Sequence, residues 1–283
     1  MNKAGAHLTF SEQDLEAFGC GVWPQMSARP RTAINQSKYG LSRIARILNG
    51  LQRGTEEVLE IGAGSFLLSA YIASKGIKVT ALEPLSKDFN WFAKLQNDVL
   101  GFCREHNIVF ERTTALAEDF VAPEKFDLIF SVHVLEHMRD PIRALDNMYQ
   151  SLRPNGQIVT VCPNYDVPFE PHLGIFLIGR SKALNARLYP VAVARKQDVW
   201  DALTFVRCSQ LKRHLSRRRA SFSFTRTMLR DSFLRLGEDE MFWQRMPKAI
   251  RWLYRVLRSA HLIGLLPLVP ARFQTPMELV IRR

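Results

Sequence analysis

At 283 residues, 47% hydrophobic and 23% charged, the chain has the length and composition of a globular protein with a sizeable core, which excludes wholesale disorder and favours one domain carrying a large elaboration. The formal net charge of +12 is unevenly spread: residues 180–283 hold 22 Lys/Arg against 7 Asp/Glu, whereas residues 1–179 hold 17 against 20. A near-neutral first part and a basic second part point to an anionic partner for the latter: a membrane surface, a phosphorylated substrate or a nucleic acid.

Cys20, Cys103, Cys162 and Cys208 are widely spaced and form no C-x-x-C, so neither a zinc site nor a disulfide framework is expected. Free thiols fit a reducing cytosol. The first residues lack the apolar core of a signal peptide, and no apolar run reaches the roughly 18 residues of a membrane span.

Residues 1–30 read as an irregular or short-helical arm. Ala33 to Leu51 carries Ile34, Tyr39, Leu41, Ile44, Ile47 and Leu48 near a helical period, with Asn49-Gly50 as the stop. This helix is expected on the sheet edge or over a ligand pocket, where Tyr39 either packs or reaches substrate.

Val58 to Gly76, VLEIGAGSFLLSAYIASKG, reads as buried strand, glycine turn and helix. Gly62 and Gly64 let a ligand approach the backbone at a helix N-terminus without a Cβ in the way. A dinucleotide fingerprint needs glycine where the chain has Leu67, and the carboxylate of Glu60 suits a cationic ligand better than a pyrophosphate. A second strand, Ile77 to Leu82, ends at Glu83, and Ser86 is expected to cap a helix through Val99.

The E-x-G-x-G of Glu60, Gly62 and Gly64, with Glu83 closing the next strand, resembles the class I S-adenosylmethionine-dependent methyltransferases. The resemblance implies that Glu60, Gly62 and Gly64 hold the aminoacid-bearing part of S-adenosylmethionine and that Glu83 hydrogen-bonds its ribose. The chain departs from the family at Phe66, where a third glycine is usual. Ile108 to Arg112 is the third strand. Relatives place an aspartate at the position of Leu116, so adenine is expected against the backbone of Ala117 and Glu118, or against the Glu118 or Asp119 side chain.

Phe126 to Ser131 is a buried fourth strand running into Val132-His-Val-Leu-Glu-His137; Asp140-Pro141 opens a helix, Asn155-Gly156 turns, and Gln157 to Cys162 is the fifth strand. In this order, over residues 57–165, these motifs resemble the ubiquinone-biosynthesis O-methyltransferase branch. The resemblance implies that Ser131 lies among the cofactor contacts and that His133 and His137 look toward the transferred methyl. Histidine suits removal of an acceptor proton near neutral pH, with His133 the first candidate. That branch carries E-x-x-E-H here, associated with a divalent metal. In this chain His133, Glu136 and His137 stand instead, and no metal is expected, Glu136 and His137 capping the following loop.

From Pro163, PNYDVPFEPHLGIF has the composition of a loop shaping an acceptor site, with Tyr165, Glu170 and His172 as polar groups and His172 the second candidate base. Residues 180–260 read as mainly helical and basic. Lys248, Arg251, Arg255 and Arg258 recur between Trp252, Tyr254 and aliphatic residues, which suits an anionic bilayer or a solvated face. Aromatics between arginines can also stack on RNA bases, but no RNA-binding motif is present. His261 to Pro270 and Glu278 to Ile281 read as a terminal β-hairpin.

The expectation is therefore an α/β, Rossmann-like, seven-stranded, mostly parallel sheet with an antiparallel last strand and a helical insertion between strands 5 and 6. Its parts are an arm and lid helix (1–55), a cofactor core (56–164), a basic insertion (165–260) and the hairpin (261–283). The expected activity is S-adenosylmethionine-dependent methyl transfer to oxygen of a small or amphiphilic acceptor: a quinol or phenol, a lipid-linked molecule or a secondary metabolite. The site expected to handle the acceptor is His133, His137 and His172. An RNA methyltransferase and a non-catalytic binding module are the alternatives. The expected location is the cytoplasm or the inner face of a membrane.

Overall fold

Short β-branched strands and amphipathic helices alternate from residue 57 onward, and that alternation builds a parallel sheet. The computed structural model describes residues 9–51, 55–84 and 91–283. Two helices come first, α1 (Glu12–Val22) and α2 (Ala28–Leu48). The arm read as irregular or short-helical thus contains the helix α1, N-capped by Ser11, whose hydroxyl accepts from the Asp14 N–H at 3.1 Å. Then follow β1 (Glu57–Ile61), α3 (Leu67–Ser74), β2 (Lys78–Leu82), α4 (Trp91–Glu105), β3 (Glu111–Thr113), β4 (Phe126–Val132), α5 (Pro141–Ser151) and β5 (Leu152–Cys162). The expected Ser86 cap lies outside the described residues.

Beyond β5 come a two-stranded antiparallel ribbon, β6 (Phe169–Glu170) with β7 (Ile175–Phe176), and the helices α6 (Lys182–Leu188), α7 (Pro190–Ala194), α8 (Gln197–Ala202) and α9 (Cys208–Arg217). β8 (Ser221–Phe224), α10 (Met228–Glu238), α11 (Glu240–Arg245), α12 (Lys248–Ser259) and β9 (Met277–Arg282) complete the order. Two compact units result. The first comprises the residues up to Val132, Arg143–Val159 and Arg282–Arg283; the second comprises His133–Ile142 and Thr160–Ile281.

The sheet has seven strands in the order β3-β2-β1-β4-β5-β9-β8. β1 lies parallel to β2 and β4, with Ile61 opposite Leu82 and Ser131, and β2 lies parallel to β3, with Leu82 opposite Thr113. The carboxyl ends of four strands are therefore level, the edge at which open α/β sheets bind ligands. β9 is antiparallel: Arg283, just past its end, exchanges backbone hydrogen bonds with Asn155 and Gly156 near the start of β5. In the first unit the core is formed by Ile34, Leu41, Ile44 and Leu48 of α2, Leu67 and Ile72 of α3, and Val58, Leu59, Phe126 and Phe130 of the strands, all buried.

The terminal hairpin differs from expectation. Residues 263–268 form a 3-10 helix that sends Ile263 and Leu266, three apart, into an apolar cluster with Phe233, Leu236 and Tyr254. Pro267 inside this segment has no N–H for a sheet ladder. The strand beside β9 is β8, where Ser221-Phe-Ser-Phe224 alternates exposed serines with half-buried phenylalanines, the period of an edge strand. The chain beyond β5 thus carries helical excursions on both sides of β8.

Asn164, just past β5, knits the second unit. Its Nδ2 donates to the carbonyls of Arg272 (2.8 Å) and Gln274 (2.9 Å), and its Oδ1 accepts from the N–H groups of Asp166 and Cys208 at 3.0 Å each. The side chain is buried, so truncation strands four backbone groups at once. Asn164→Ala is expected to lower stability by about 3 kcal/mol, measured as a shift of the urea midpoint at unchanged slope.

Candidate functional site

The backbone leaves β1 through a left-handed passage: φ is +73° at Gly62, +51° at Gly64 and +65° at Phe66. The N–H groups of Gly62 and Ala63 donate to the Leu82 carbonyl at 2.8 and 3.2 Å, and that of Gly64 donates to Glu83 Oε2 at 2.7 Å. Gln96 of α4 donates to the Gly64 carbonyl at 2.7 Å. The N–H groups of residues 62–64 and the Gly64 carbonyl are thus tied to the end of β2, to Glu83 just past it and to α4. Phe66 keeps the conformation glycine adopts most easily. Its ring is buried against Phe110, at 6.0 Å between centroids, which compensates for the unfavourable φ.

Two acids stand at this edge. Glu60 is buried and accepts from Ser69 Oγ of α3 at 2.5 Å. Burial pushes its carboxyl up to about 8, with the Ser69 hydroxyl opposing and the charge of Glu83 adding to the rise. Burial raises Glu83 as well, against the Gly64 N–H that favours its ionised form. Among the described residues no basic side chain pairs with either carboxyl, so a cationic group would complement the two acids. Further along the edge, Asn147 of α5 donates to the carbonyls of Ala117 (3.2 Å) and Glu118 (2.7 Å), which fixes the loop after β3. Ser131, on β4 opposite Ile61, is fully buried, and its hydroxyl has no hydrogen-bond partner among the described residues. Glu60, Gly62, Gly64, Glu83, Ala117, Glu118 and Ser131 all belong to the first unit.

The three histidines belong to the second unit, where the structure gathers them around one carboxylate. Glu136, on the 3-10 turn Leu135–His137, is fully buried, and neither of its oxygens has a hydrogen bond among the described residues. His133 Nδ1 stands 3.7 Å and His172 Nε2 4.0 Å from Glu136 Oε1, separations of electrostatic attraction rather than hydrogen bonding. Burial opposes ionisation of Glu136, but His133, His137 and His172 outweigh it and hold the carboxyl below its ordinary value. His137 is pushed down by burial, and its Nδ1 has no hydrogen-bond partner among the described residues.

His172 is held differently. Its Nδ1 pairs with Glu170 Oε1 at 2.5 Å, and Glu170 in turn accepts from the His172 N–H (3.1 Å), the Leu173 N–H (2.6 Å) and the Tyr165 hydroxyl (3.3 Å). Burial disfavours the charged ring, yet the bond and charge of Glu170, with Glu136 behind, raise His172 above its ordinary value. The turn bearing Glu136 is fixed by Thr204, which donates its N–H to the Glu136 carbonyl and its hydroxyl to the Met138 carbonyl.

Against the expectation of no metal, one ligand atom from each of Glu136, His137 and His172 lies within 4.8 Å of the others. A buried carboxylate without hydrogen bonds and a buried imidazole nitrogen without a partner fit a divalent ion that accepts N and O donors. His133 is not in this set; its side chain is partly exposed.

Comparison with known proteins settles the family. A family model described as a methyltransferase domain matches residues 33–219. The chain belongs to the methyltransferase-domain family. An uncharacterized protein of Mycobacterium tuberculosis is 30% identical over 234 residues, covering 78% of this chain and 76% of that protein. The ubiquinone biosynthesis O-methyltransferase of Pasteurella multocida is 32% identical over 157 residues, 52% of this chain and 62% of that enzyme. The solved structure of Haemonchus contortus phosphoethanolamine N-methyltransferase 2 with S-adenosyl-L-methionine shares the fold at a TM-score of 0.51 and 16% identity, covering 97% of this chain and 57% of that one. The expected family and the expected mostly parallel sheet with one antiparallel strand are thus borne out, and the protein is a class I S-adenosylmethionine-dependent methyltransferase.

Ser69, Gln96 and Asn147 escaped the sequence reading. Ser69 left a trace, the one serine in the apolar run Leu67 to Ala73. Gln96 and Asn147 left none, because their partners are backbone carbonyls brought near only by the fold.

The raised Glu60 gives this methyltransferase a distinctive pH dependence. The folded chain holds a proton that the unfolded chain releases above about 4.5, so the stability linked to this group is complete below that pH and is lost as pH rises through about 8. Urea titrations between those limits are expected to show ligand-free stability falling by up to about 1.4 kcal/mol per pH unit, and Glu60→Gln should flatten that slope.

Proposed function

We propose that this enzyme methylates an oxygen of a small or amphiphilic acceptor, such as a phenol, a quinol or a lipid-linked molecule, met in the cytoplasm or at the inner face of a membrane. S-adenosylmethionine, when bound, supplies an electrophilic methyl group. Glu60 and the Gly62 to Gly64 turn hold its cationic aminoacid part, Glu83 accepts from its ribose, and Ala117, Glu118 and Ser131 line the remainder. Glu60 then gives up its proton, because an ammonium beside the carboxylate replaces the water lost on burial.

His172 is the base. The observation that carries this role is the Glu170 bond to Nδ1, which fixes the ring and its tautomer and leaves Nε2 to accept a hydroxyl proton. His133 and His137 flank Glu136 and stabilise the resulting charge distribution. Support for oxygen as the acceptor atom comes from the Pasteurella multocida enzyme, an O-methyltransferase by name. A second reading arises from the clustering of Glu136, His137 and His172: these residues would hold a divalent ion, which would lower the acceptor hydroxyl's pKa in place of a base.

Calorimetric titration with S-adenosylmethionine tests the cofactor side. Glu83→Ala is expected to weaken binding by at least roughly tenfold, and unchanged affinity would overturn the role given to Glu83. With a phenolic acceptor, the rate should rise with pH through a value above the ordinary histidine 6.5, since His172 must be neutral to take a proton. Glu170→Gln should lower kcat and move that rise to lower pH, because it removes the main influence that raises His172. A pH profile untouched by the substitution, or activity abolished by a chelator and restored by a divalent ion, would favour the metal reading instead.

A further inference from the structure

The last third of the chain carries a surface that methyl transfer does not use. Between Met241 and Met277 there are six Lys/Arg and no Asp/Glu. Within this stretch α12 packs Ile250, Tyr254 and Leu257 into the cluster with Phe233 and Leu236. At about 100° per residue, Trp252 and Val256 then fall on the outer arc, with Lys248 and Arg255 beside them, and Leu253 on the flank between the two faces. Exposure agrees: Trp252 is 63% exposed and Val256 41%. The 3-10 helix that follows repeats the pattern. Ile263 and Leu266 pack inward, while Leu265 is 55% and Leu268 76% exposed, and Phe273 beyond them is 57% exposed.

The cations are arranged to stay outside. Arg251 and Arg255 lie over the Trp243 ring, 5.8 and 5.4 Å from its centroid, and Arg258 donates to the Tyr254 hydroxyl at 3.0 Å. Among the described residues none of Lys248, Arg251, Arg255 and Arg258 meets a carboxylate. Beside Phe273, Arg272 joins Lys212 and Arg213 in lining an open cleft of about 340 Å³, whose charge suits an anionic headgroup.

We propose that this surface, the outer arc of α12 with residues 262–273, docks on an anionic lipid bilayer. The inference rests on the membrane-facing acceptor proposed above. Aliphatic residues enter the boundary between headgroups and acyl chains, Trp252 sits at the interface, and the lysine and arginines meet lipid phosphates. Charge decides between occupants: a second copy would set the same cations against one another, and RNA has no use for Val256, Leu265 and Leu268, which offer neither a stacking face nor a hydrogen bond.

Sedimentation with vesicles tests it, using equal parts phosphatidylglycerol and phosphatidylcholine against phosphatidylcholine alone. Binding to the mixed vesicles only, released by salt, is expected. Lys248→Gln with Arg255→Gln should lower the partition constant about fivefold per charge, and Trp252→Ser with Leu268→Ser should lower it by roughly tenfold or more. All four positions are on the surface, and unchanged circular dichroism and melting would show that the variants fold. No binding to mixed vesicles, equal binding to both compositions, or binding indifferent to either pair overturns the proposal. So does a dimer dispersed by Trp252→Ser, or RNA binding that needs the cations alone. Cofactor titration and turnover of a water-soluble phenol should be unchanged in these variants; loss of those activities with vesicle binding intact would sink the acceptor reading and leave the docking surface standing.

Discussion

The chain can leave β1 and enter α3 at this angle only by taking left-handed backbone angles at Gly62, Gly64 and Phe66, and much of the first unit is disposed around that passage. Because the turn is tight, three successive N–H groups are left without helical partners, and β2 supplies acceptors through Leu82 and Glu83. Because β2 must lie at hydrogen-bonding distance to do so, Glu83 comes to stand beside the glycine turn. The same requirement brings α3 over β1, which places the Ser69 hydroxyl on Glu60. One steric constraint on three residues thus fixes two acids, a hydroxyl and a helix start.

Four of the buried or largely buried acids, two in each unit, divide according to their company. Among the described residues Glu60 and Glu83 have hydrogen-bond donors but no cation, and both are driven toward the neutral form. Glu136 and Glu170 have histidines, and both are driven toward the charged form despite burial. Burial alone would have treated all four alike; the difference lies in which partner the fold brings near. The first pair is prepared for an incoming positive charge, and the second already has one within reach.

Legibility in the sequence followed the range of the interactions. Strand, glycine turn and helix were readable from residue 58 to 76, because a β-branched apolar run, two glycines and a helical apolar face are local signals. Glu83 was readable because a parallel strand must end beside its neighbour. The clustering of Glu136 with His172, 36 positions later, was not readable, since it depends on how the loop after β5 returns. β8 was readable in principle from its alternating serines and phenylalanines, but it sits inside a basic, mainly helical stretch. The assignment of a strand to 261–270 failed because leucine-rich composition outweighed the meaning of Pro267 and the three-residue spacing of Ile263 and Leu266.

Arg283 closes the first unit from far away. It donates to the Leu152 carbonyl at 2.6 Å across 131 positions of sequence and reaches Glu124 across 159. The ribosome therefore makes all of the second unit before it delivers the residues that complete the sheet edge of the first. Until those residues are made, β5 lacks β9 beside it and presents an open edge on which another chain can pair.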